Sequence, residues 1–167
     1  MSATVTLEPW SSGDLPLLER LIGDPSMTEH LGSPESPDTL RERQGRYERL
    51  AGGDHMLKIV DVASGAGVDS VGFWTKEWRD DQVYEVGWMV VSEFQGRGIA
   101  VAATARAIAL AKRDDKHRFM HAFPNVCDPP SNAICRTVGF ELLEACEFEF
   151  SKRHFMTCND RRLDLRA

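Results

Sequence analysis

The sequence predicts one α+β domain built on a mixed, mostly antiparallel central sheet with helices on both faces. A length of 167 residues, 42% hydrophobic and 28% charged, is typical of a single globular domain. The apolar patterns follow the order β-α-α-β-β-β-α-β-α-β-β. The strand-helix-strand unit in the middle requires parallel pairing, whereas the hairpins around it require antiparallel pairing. No repeat or long linker divides the chain, so we expect one domain over residues 1–167.

The first third of the chain predicts one strand followed by two helices. Residues 4–7 are the strand, and Asp14 opens an apolar helical pattern that ends near Gly23. Ser36 and Pro37 fit an N-cap followed by proline at the first helical position, and Gly52-Gly53 is expected to stop this second helix. Its predicted inward face carries Leu40, Gln44, Tyr47 and Leu50.

A three-stranded meander is predicted next. Three runs rich in β-branched and aromatic residues are separated by a Gly-rich turn at 64–69 and by Arg79-Asp80-Asp81. Such short connections join antiparallel neighbours. The predicted strands are residues 56–62, 70–78 and 83–91.

The remainder predicts a long helix, a strand, a short helix and a closing hairpin. The long helix is rich in alanine, the best helix former, and Gly139 ends the short one. The predicted elements are the helix 96–113, the strand 119–123, the helix 131–138 and the strands 141–150 and 154–163.

Charge and composition exclude several classes of partner. A net charge of −6 disfavours binding nucleic acid through bulk electrostatics. No apolar run approaches the roughly 18 residues of a membrane span, and the first ten residues lack a signal-peptide pattern. Four cysteines could form two disulfides, but without an export signal they are expected to be free thiols in a reducing cytoplasm. We therefore expect a cytoplasmic monomer or homodimer that binds neither nucleic acid nor membrane.

The turn between the third meander strand and the long helix predicts a phosphate site. The N-terminus of a helix leaves backbone N–H groups unpaired, and glycines let a phosphate approach them. Arg97 adds a cation, although Gly96 and Gly98 alone would also suit a plain strand-to-helix turn. The sequence contains no Gly-Lys-Ser/Thr, and the turn lacks the third glycine of the dinucleotide-binding fingerprint.

This turn resembles the acetyl-CoA motif of the GNAT N-acetyltransferase superfamily. The motif is Gln/Arg-x-x-Gly-x-Gly/Ala, and Gln95, Gly98 and Ala100 match it. The segment SNAICRTVGF at 131–140 resembles the family's second signature, a short helix that ends in Gly-Phe. The element order matches the GNAT fold over essentially the whole chain. The nearest subgroup by resemblance is the ribosomal-protein N-terminal acetyltransferases, which share a serine-containing helix before Gly-Phe.

The resemblance implies an enzyme that transfers an acetyl group from acetyl-CoA directly to a primary amine, on a protein N-terminus or a small molecule. An acyl-CoA-binding module without turnover is the alternative. The pyrophosphate would lie on the N–H groups of Gln95, Gly96, Arg97, Gly98, Ile99 and Ala100, and the pantetheine along the backbone of Met89, Val90 and Val91. Ser131 and Asn132 would lie near the pantetheine.

The resemblance also implies how the protons move. Val90 N–H is the expected donor to the oxyanion, and Glu85 is the expected base, directly or through water. Weaker candidates for the base are Glu93, Asp128 and His121. Many relatives carry a tyrosine acid four residues before the glycine of Gly-Phe, but Cys135 stands there in this chain, and Ser131 is the other candidate acid. Asp128 is a second departure, because relatives often carry asparagine there.

Metal binding is not expected, and the acceptor site is only outlined. His117 and His121 flank a predicted strand, where four residues span about 13 Å, too far for one zinc ion. In this fold the loop between the first two helices and the last strands usually select the acceptor. These are residues 27–35, with Glu29 and His30, and the region near His154.

Overall fold

The computed structural model describes residues 4–29, 34–151 and 153–167 of the chain. His30, which the sequence places in the acceptor loop, lies outside these residues. The strands are β1 (Val5–Pro9), β2 (His55–Asp61), β3 (Gly67–Trp78), β4 (Asp81–Val90), β5 (Phe119–Ala122), β6 (Glu141–Ser151) and β7 (His154–Asp164). The helices are α1 (Leu15–Ile22), α2 (Pro37–Glu48), α3 (Ile99–Asp114) and α4 (Pro129–Val138), with short 3-10 turns at Ser12–Asp14 and Ser92–Phe94.

All the described strands form one sheet in the order β1-β2-β3-β4-β5-β7-β6. Only the contact between β4 and β5 is parallel, and the other neighbours are antiparallel. The predicted fold class and the predicted order of elements are therefore confirmed.

Several predicted boundaries were wrong. Helix α2 ends at Glu48, before the two glycines that were expected to stop it. Helix α3 begins at Ile99 because Gly96 and Gly98 have left-handed backbone conformations and form the turn before it. Helix α4 begins at Pro129 because the Asp128 carboxylate accepts a hydrogen bond from the Ser131 N–H and caps the helix.

Helices cover both faces of the sheet, as the sequence predicts. On one face, called the α1 face, Lys58 of β2 donates to Asp14, just before α1, at 2.9 Å. On the other, called the α3 face, His55 of β2 contacts Asp114 at the end of α3 at 3.0 Å. Successive residues of a strand point to opposite faces of the sheet. Together with the strand register, these two contacts therefore show which face each of the other strand residues points to.

Strands β4 and β5 touch over a very short distance. The parallel pairs are Tyr84 with Met120 and Glu85 with His121, although β4 continues to Val90. The edge of β4 after Glu85 therefore has no strand partner on the β5 side among the described residues. This leaves a wedge-shaped gap, called the β4–β5 gap, that opens toward the turn before α3.

The core lies mainly between the sheet and α3. Ala103, Ala107 and Ala111 of α3 are fully buried, and they bring the helix close to the aromatic and branched side chains of the sheet. No helix within the described ranges is long and apolar enough to cross a membrane.

Candidate active site

The turn before α3 is shaped to expose backbone N–H groups. Gly96 and Gly98 have φ angles of +76° and +75°, which side-chain-bearing residues rarely adopt. A Cβ atom built on either glycine would have no neighbour within 4 Å, so the space above the turn is open. No side chain among the described residues caps the first turn of α3, and that turn carries no acidic residue. The partial positive charge of this helix end is therefore available to an anion.

Arg97 and Gln95 frame this turn in different ways. The exposed guanidinium of Arg97 lies over the ring of Phe94, 4.9 Å from its centroid. Gln95 reaches back, and its side-chain amide donates to the carbonyl of Val90 at 3.0 Å. Gln95 thus ties the turn to the end of β4, while Arg97 remains accessible to an anion.

The backbone of β4 presents hydrogen-bonding groups to the β4–β5 gap. Met89 N–H points toward β3, because it donates to the Asp69 carboxyl group at 3.0 Å. Successive N–H groups of an extended strand point to opposite edges, so those of Trp88 and Val90 point into the gap. This direction fits the expected roles of β4 as a strand-like partner and of Val90 N–H as an oxyanion donor.

Asp69 is an unexpected buried carboxyl group on the β3 side of β4. Its side chain is fully buried, and Oδ2 has no hydrogen-bond partner in the described part of the chain. Burial raises the pKa of Asp69 well above its usual value, against hydrogen bonds from the Met89 and Ser70 N–H groups. Asp69 lies next to an irregularity in the register between β2 and β3, where Ile59 pairs with Asp69 and Val60 with Gly67.

Glu85 lies on the α1 face at the point where the gap begins. Its side chain is 16% exposed, and one carboxylate oxygen lies 3.6 Å from Lys76 Nζ. Burial raises the pKa of Glu85 above its usual value, although the nearby Lys76 opposes this shift. Lys76 Nζ also lies 4.9 Å from the ring centroid of Phe148 and 6.0 Å from that of Trp78. The side chains around Glu85 thus already hold one ammonium group.

His121 is the register neighbour of Glu85 on β5, and it belongs to a buried polar chain. His121 Nδ1 is 2.6 Å from Asp160 Oδ1, and Asp160 Oδ2 accepts from Trp78 Nε1 at 3.0 Å. Burial alone would raise the pKa of Asp160, but hydrogen bonds from His121 and Trp78 lower it below its usual value. His117 lies on the α3 face, where it contacts Thr75, so the two histidines are separated by the sheet.

Asn132, predicted to lie near the pantetheine, uses its side chain within the protein. Its amide nitrogen donates to the carbonyls of Asn125 and Asp128, and its oxygen accepts from Asn159 and Arg161. These four bonds exhaust the capacity of an amide side chain. Asn132 therefore fixes α4 against β7, and any contact with a ligand would come from its backbone.

The two candidate acids differ in accessibility. Ser131 is half-buried in the first turn of α4, and its N–H donates to Asp128 Oδ1 at 3.2 Å. Cys135 lies one turn further along and is completely buried. Burial raises the pKa of its thiol to about 12, although Arg161 opposes the shift.

The described part of the acceptor loop lies against the end of β4. Met27 Sδ accepts weak contacts from Ser92 Oγ at 3.4 Å and Gln95 Nε2 at 3.7 Å. Glu93, a weaker candidate base, is exposed and paired with Arg20 at 2.9 Å. A polar cavity of about 190 Å³ lies between residues 20–27 and residues 91–93. It is lined by Arg20, Asp24, Met27, Val91, Ser92 and Glu93.

Three functional candidates escaped the sequence reasoning. Lys76, Asp69 and Asp160 carry no motif. The register of the β3–β4 hairpin brings Lys76 to Glu85 and Asp69 to Met89, and pairing between the distant strands β5 and β7 brings Asp160 to His121. Within the described ranges, no group of three or more His, Cys, Asp or Glu residues is arranged to hold a metal ion.

Known proteins resemble this chain in sequence pattern and in fold. A family model described as an acetyltransferase (GNAT) domain matches residues 4–141. No curated protein matches the chain at a significant level. Among solved structures, a GNAT-family acetyltransferase from Bacillus anthracis has a TM-score of 0.78 at 13% identity, over 100% of this chain and 99% of that one.

Two further structures carry more specific names. Spermidine N-acetyltransferase from Vibrio cholerae, in complex with CoA and spermine, has a TM-score of 0.79 at 17% identity, over 97% of this chain and 96% of that one. Phosphinothricin acetyltransferase from Sinorhizobium meliloti, in complex with acetyl-CoA, has a TM-score of 0.74 at 19% identity, over 96% of this chain and 88% of that one. Identities this low establish a shared fold alone. With the family match over most of its length, the chain belongs to the GNAT acetyltransferases.

Proposed function

We propose that this protein transfers the acetyl group of acetyl-CoA directly to a primary amine. The observation that carries the proposal is the start of α3 behind two left-handed glycines, which no described side chain caps, next to an edge of β4 that has no strand partner among the described residues. The start of a helix binds phosphate, and the edge of a strand pairs with an extended amide chain. Coenzyme A contains a pyrophosphate and such a chain. The open space above Gly96 and Gly98 agrees with this use.

The residues present fit the coenzyme, and each has a proposed task. The N–H groups of residues 95–100, with Arg97, would hold the pyrophosphate, and the backbone of residues 89–91 would pair with the pantetheine arm. Acetyl-CoA supplies a thioester carbonyl that an amine can attack. Val90 N–H, which points into the gap, would stabilise the negative charge that develops on that oxygen.

Glu85 is proposed to act on the ammonium group of the acceptor. An amine attacks only after losing a proton, and a carboxylate can bind the ammonium group and accept that proton directly or through water. Lys76 supports the assignment, because its own ammonium group rests between Glu85 and two aromatic rings. A protonated amine is therefore the class of acceptor that suits this face.

The acceptor itself is proposed only as a class. A protein N-terminus carries the required amine, and the resemblance to ribosomal-protein N-terminal acetyltransferases implies such an acceptor. Small amines such as those in the names of the structural neighbours carry it too. Residues 27–29 and the region of His154 are the proposed selectors. A non-catalytic acyl-CoA-binding module remains the second candidate, favoured by the burial of Cys135 where many relatives carry a tyrosine acid.

Calorimetric titration with CoA and an assay of thiol release test the proposal. We expect binding by the wild-type chain, no binding by Gly98→Glu, and CoA release with at least one of spermidine, phosphinothricin or an N-terminal peptide. Gly65→Glu is the matched control, because Gly65 also has a left-handed φ of +72° and open space but lies in the β2–β3 turn. Absence of CoA binding would overturn the proposal, and binding without turnover would favour the non-catalytic module.

A further inference from the structure

A buried histidine beside the proposed base has the arrangement of a proton acceptor. Glu85 and His121 are register partners on parallel strands, so both side chains leave the sheet on the α1 face about 5 Å apart at the backbone. The adjacent pair, Tyr84 and Met120, points the opposite way into the core. His121 is thus the nearest ionisable neighbour that the register gives Glu85 on β5.

The imidazole is oriented by its surroundings. Asp160 Oδ1 lies 2.6 Å from Nδ1, and Asp160 is itself only 1% exposed and fixed by Trp78. The ring also stacks on Phe123, with centroids 5.9 Å apart and planes 15° from parallel. A carboxylate that accepts from Nδ1–H leaves the lone pair on Nε2, which is the tautomer that accepts a proton.

Nε2 is the remaining functional atom of this ring. It has no hydrogen-bond partner among the described residues, and the His121 side chain is 7% exposed.

Glu85 needs such a neighbour for a physical reason. Its side chain is only 16% exposed, and Lys76 is its only ion-pair partner among the described residues. A proton taken from the acceptor must leave before the next turnover, and imidazole is the side chain that exchanges protons most readily near neutral pH.

We propose that His121, held by Asp160, receives the proton that Glu85 takes from the acceptor amine; this deepens the proposed function and rests on it. The N–H bond of the ammonium group breaks as an O–H bond forms on Glu85. That O–H bond then breaks as an N–H bond forms on His121 Nε2, directly or through one water. The resulting imidazolium is stabilised by the Asp160 carboxylate and releases its proton to solvent. Asp160 is a positioning residue in this scheme.

His121→Asn is the sharpest variant, because its amide can still donate to Asp160 but has no basic nitrogen. We expect kcat to fall about 100-fold, with KM for acetyl-CoA and the melting temperature nearly unchanged. Asp160→Asn should lower kcat as well, since an amide can donate to Nδ1 and favour the wrong tautomer. The matched control is His117→Asn, which alters a histidine on the opposite face and should leave kcat unchanged.

Rescue by imidazole and a double-variant comparison distinguish a role of His121 in proton transfer from a purely structural role. Added imidazole should restore kcat to His121→Ala in a concentration-dependent way and should not affect Glu85→Gln. The double variant Glu85→Gln/His121→Asn should lose little more than the worse single variant, because the two groups act in series. Full activity in His121→Asn, or a loss that imidazole fails to restore, would overturn the relay while leaving the acetyltransferase proposal intact. A wild-type chain that releases no CoA with any of the acceptor amines would overturn both.

Discussion

At the scale of single residues, the environment of Glu85 predicts how the activity depends on pH. Burial raises the pKa of its carboxyl group, and the group must be ionised to act as a base. Activity should therefore fall as pH drops through this raised pKa, at a higher pH than for an ordinary glutamate. Glu85→Gln should lose about 100-fold in kcat/KM and lose this acid limb, as a pH–rate profile would record. An unchanged acid limb in the variant would assign the base elsewhere.

Ser131 and Cys135 give a second comparison between residues. Ser131 is half-buried at the start of α4, whereas Cys135 is sealed in the core and its thiol pKa is raised to about 12. We expect Ser131→Ala to lower kcat by about tenfold or more with KM for acetyl-CoA unchanged, and Cys135→Ala to change mainly stability. Steady-state kinetics with parallel melting curves would measure both effects. A large loss of kcat in a stable Cys135→Ala would return the acid role to the thiol.

The site residues differ in how far the sequence predicts their arrangement. The Gln95–Ala100 turn could be predicted, because left-handed glycines, a strand and a helix start are all local features. The Asp160–His121 pair could not, since β5 and β7 meet only through a register set by tertiary packing. The internal commitment of the Asn132 side chain was missed for the same reason: two of its four partners lie on β7.

At the scale of elements, Asp69 is expected to reduce stability when ionised. The pKa of Asp69 is raised in the folded protein. Its stabilising contribution to the free energy of unfolding is therefore fully present below the unfolded pKa of about 3.9 and is lost as pH rises toward the folded value. Asp69→Asn keeps an acceptor for the Met89 N–H and should melt higher than the wild type above that pH. A folded pKa raised by one corresponds to about 1.4 kcal/mol of stability, and 1 kcal/mol moves Tm by about 2–4 °C at this size.

Asp61 offers a control of opposite sign for this experiment. A hydrogen bond from the Ser64 side chain lowers the pKa of Asp61, so folding favours its ionised form. Asp61→Asn should therefore show no gain in Tm as pH rises. If the Tm of Asp69→Asn did not gain on that of the wild type as pH rises, the raised pKa of the buried carboxyl group would be contradicted.

The boundaries of elements show where local rules reach their limit. The order of strands and helices follows from periodicity, which is a property of each segment alone. Helix α2 ends at Glu48 although the glycines come later, and β3 begins at Gly67 inside a predicted turn. In the second case β2 and β4 on either side supply partners for backbone groups that the turn pattern would have left to water.

At the scale of the whole molecule, coenzyme binding should stabilise the fold across the β4–β5 gap. A ligand at 100 times its Kd adds about 2.7 kcal/mol, which is a rise in Tm of about 5–11 °C for a chain of this size. Thermal unfolding with and without CoA would measure it, and Gly98→Glu should show no rise. A rise in that variant equal to the wild type's would place the coenzyme elsewhere.

The position of β5 in the sheet has a consequence for how the protein folds. Strands β1 to β4 are joined in sheet order, so neighbours along the chain pair with each other, apart from the helical excursion after β1. Both neighbours of β5 are distant: β4 lies beyond the whole of α3, and β7 lies beyond α4 and β6. Pairing across long loops is slow, because loop closure costs entropy before contacts compensate for it. We therefore expect Glu85 and His121 to come together late in folding, after strands β1 to β4 have paired.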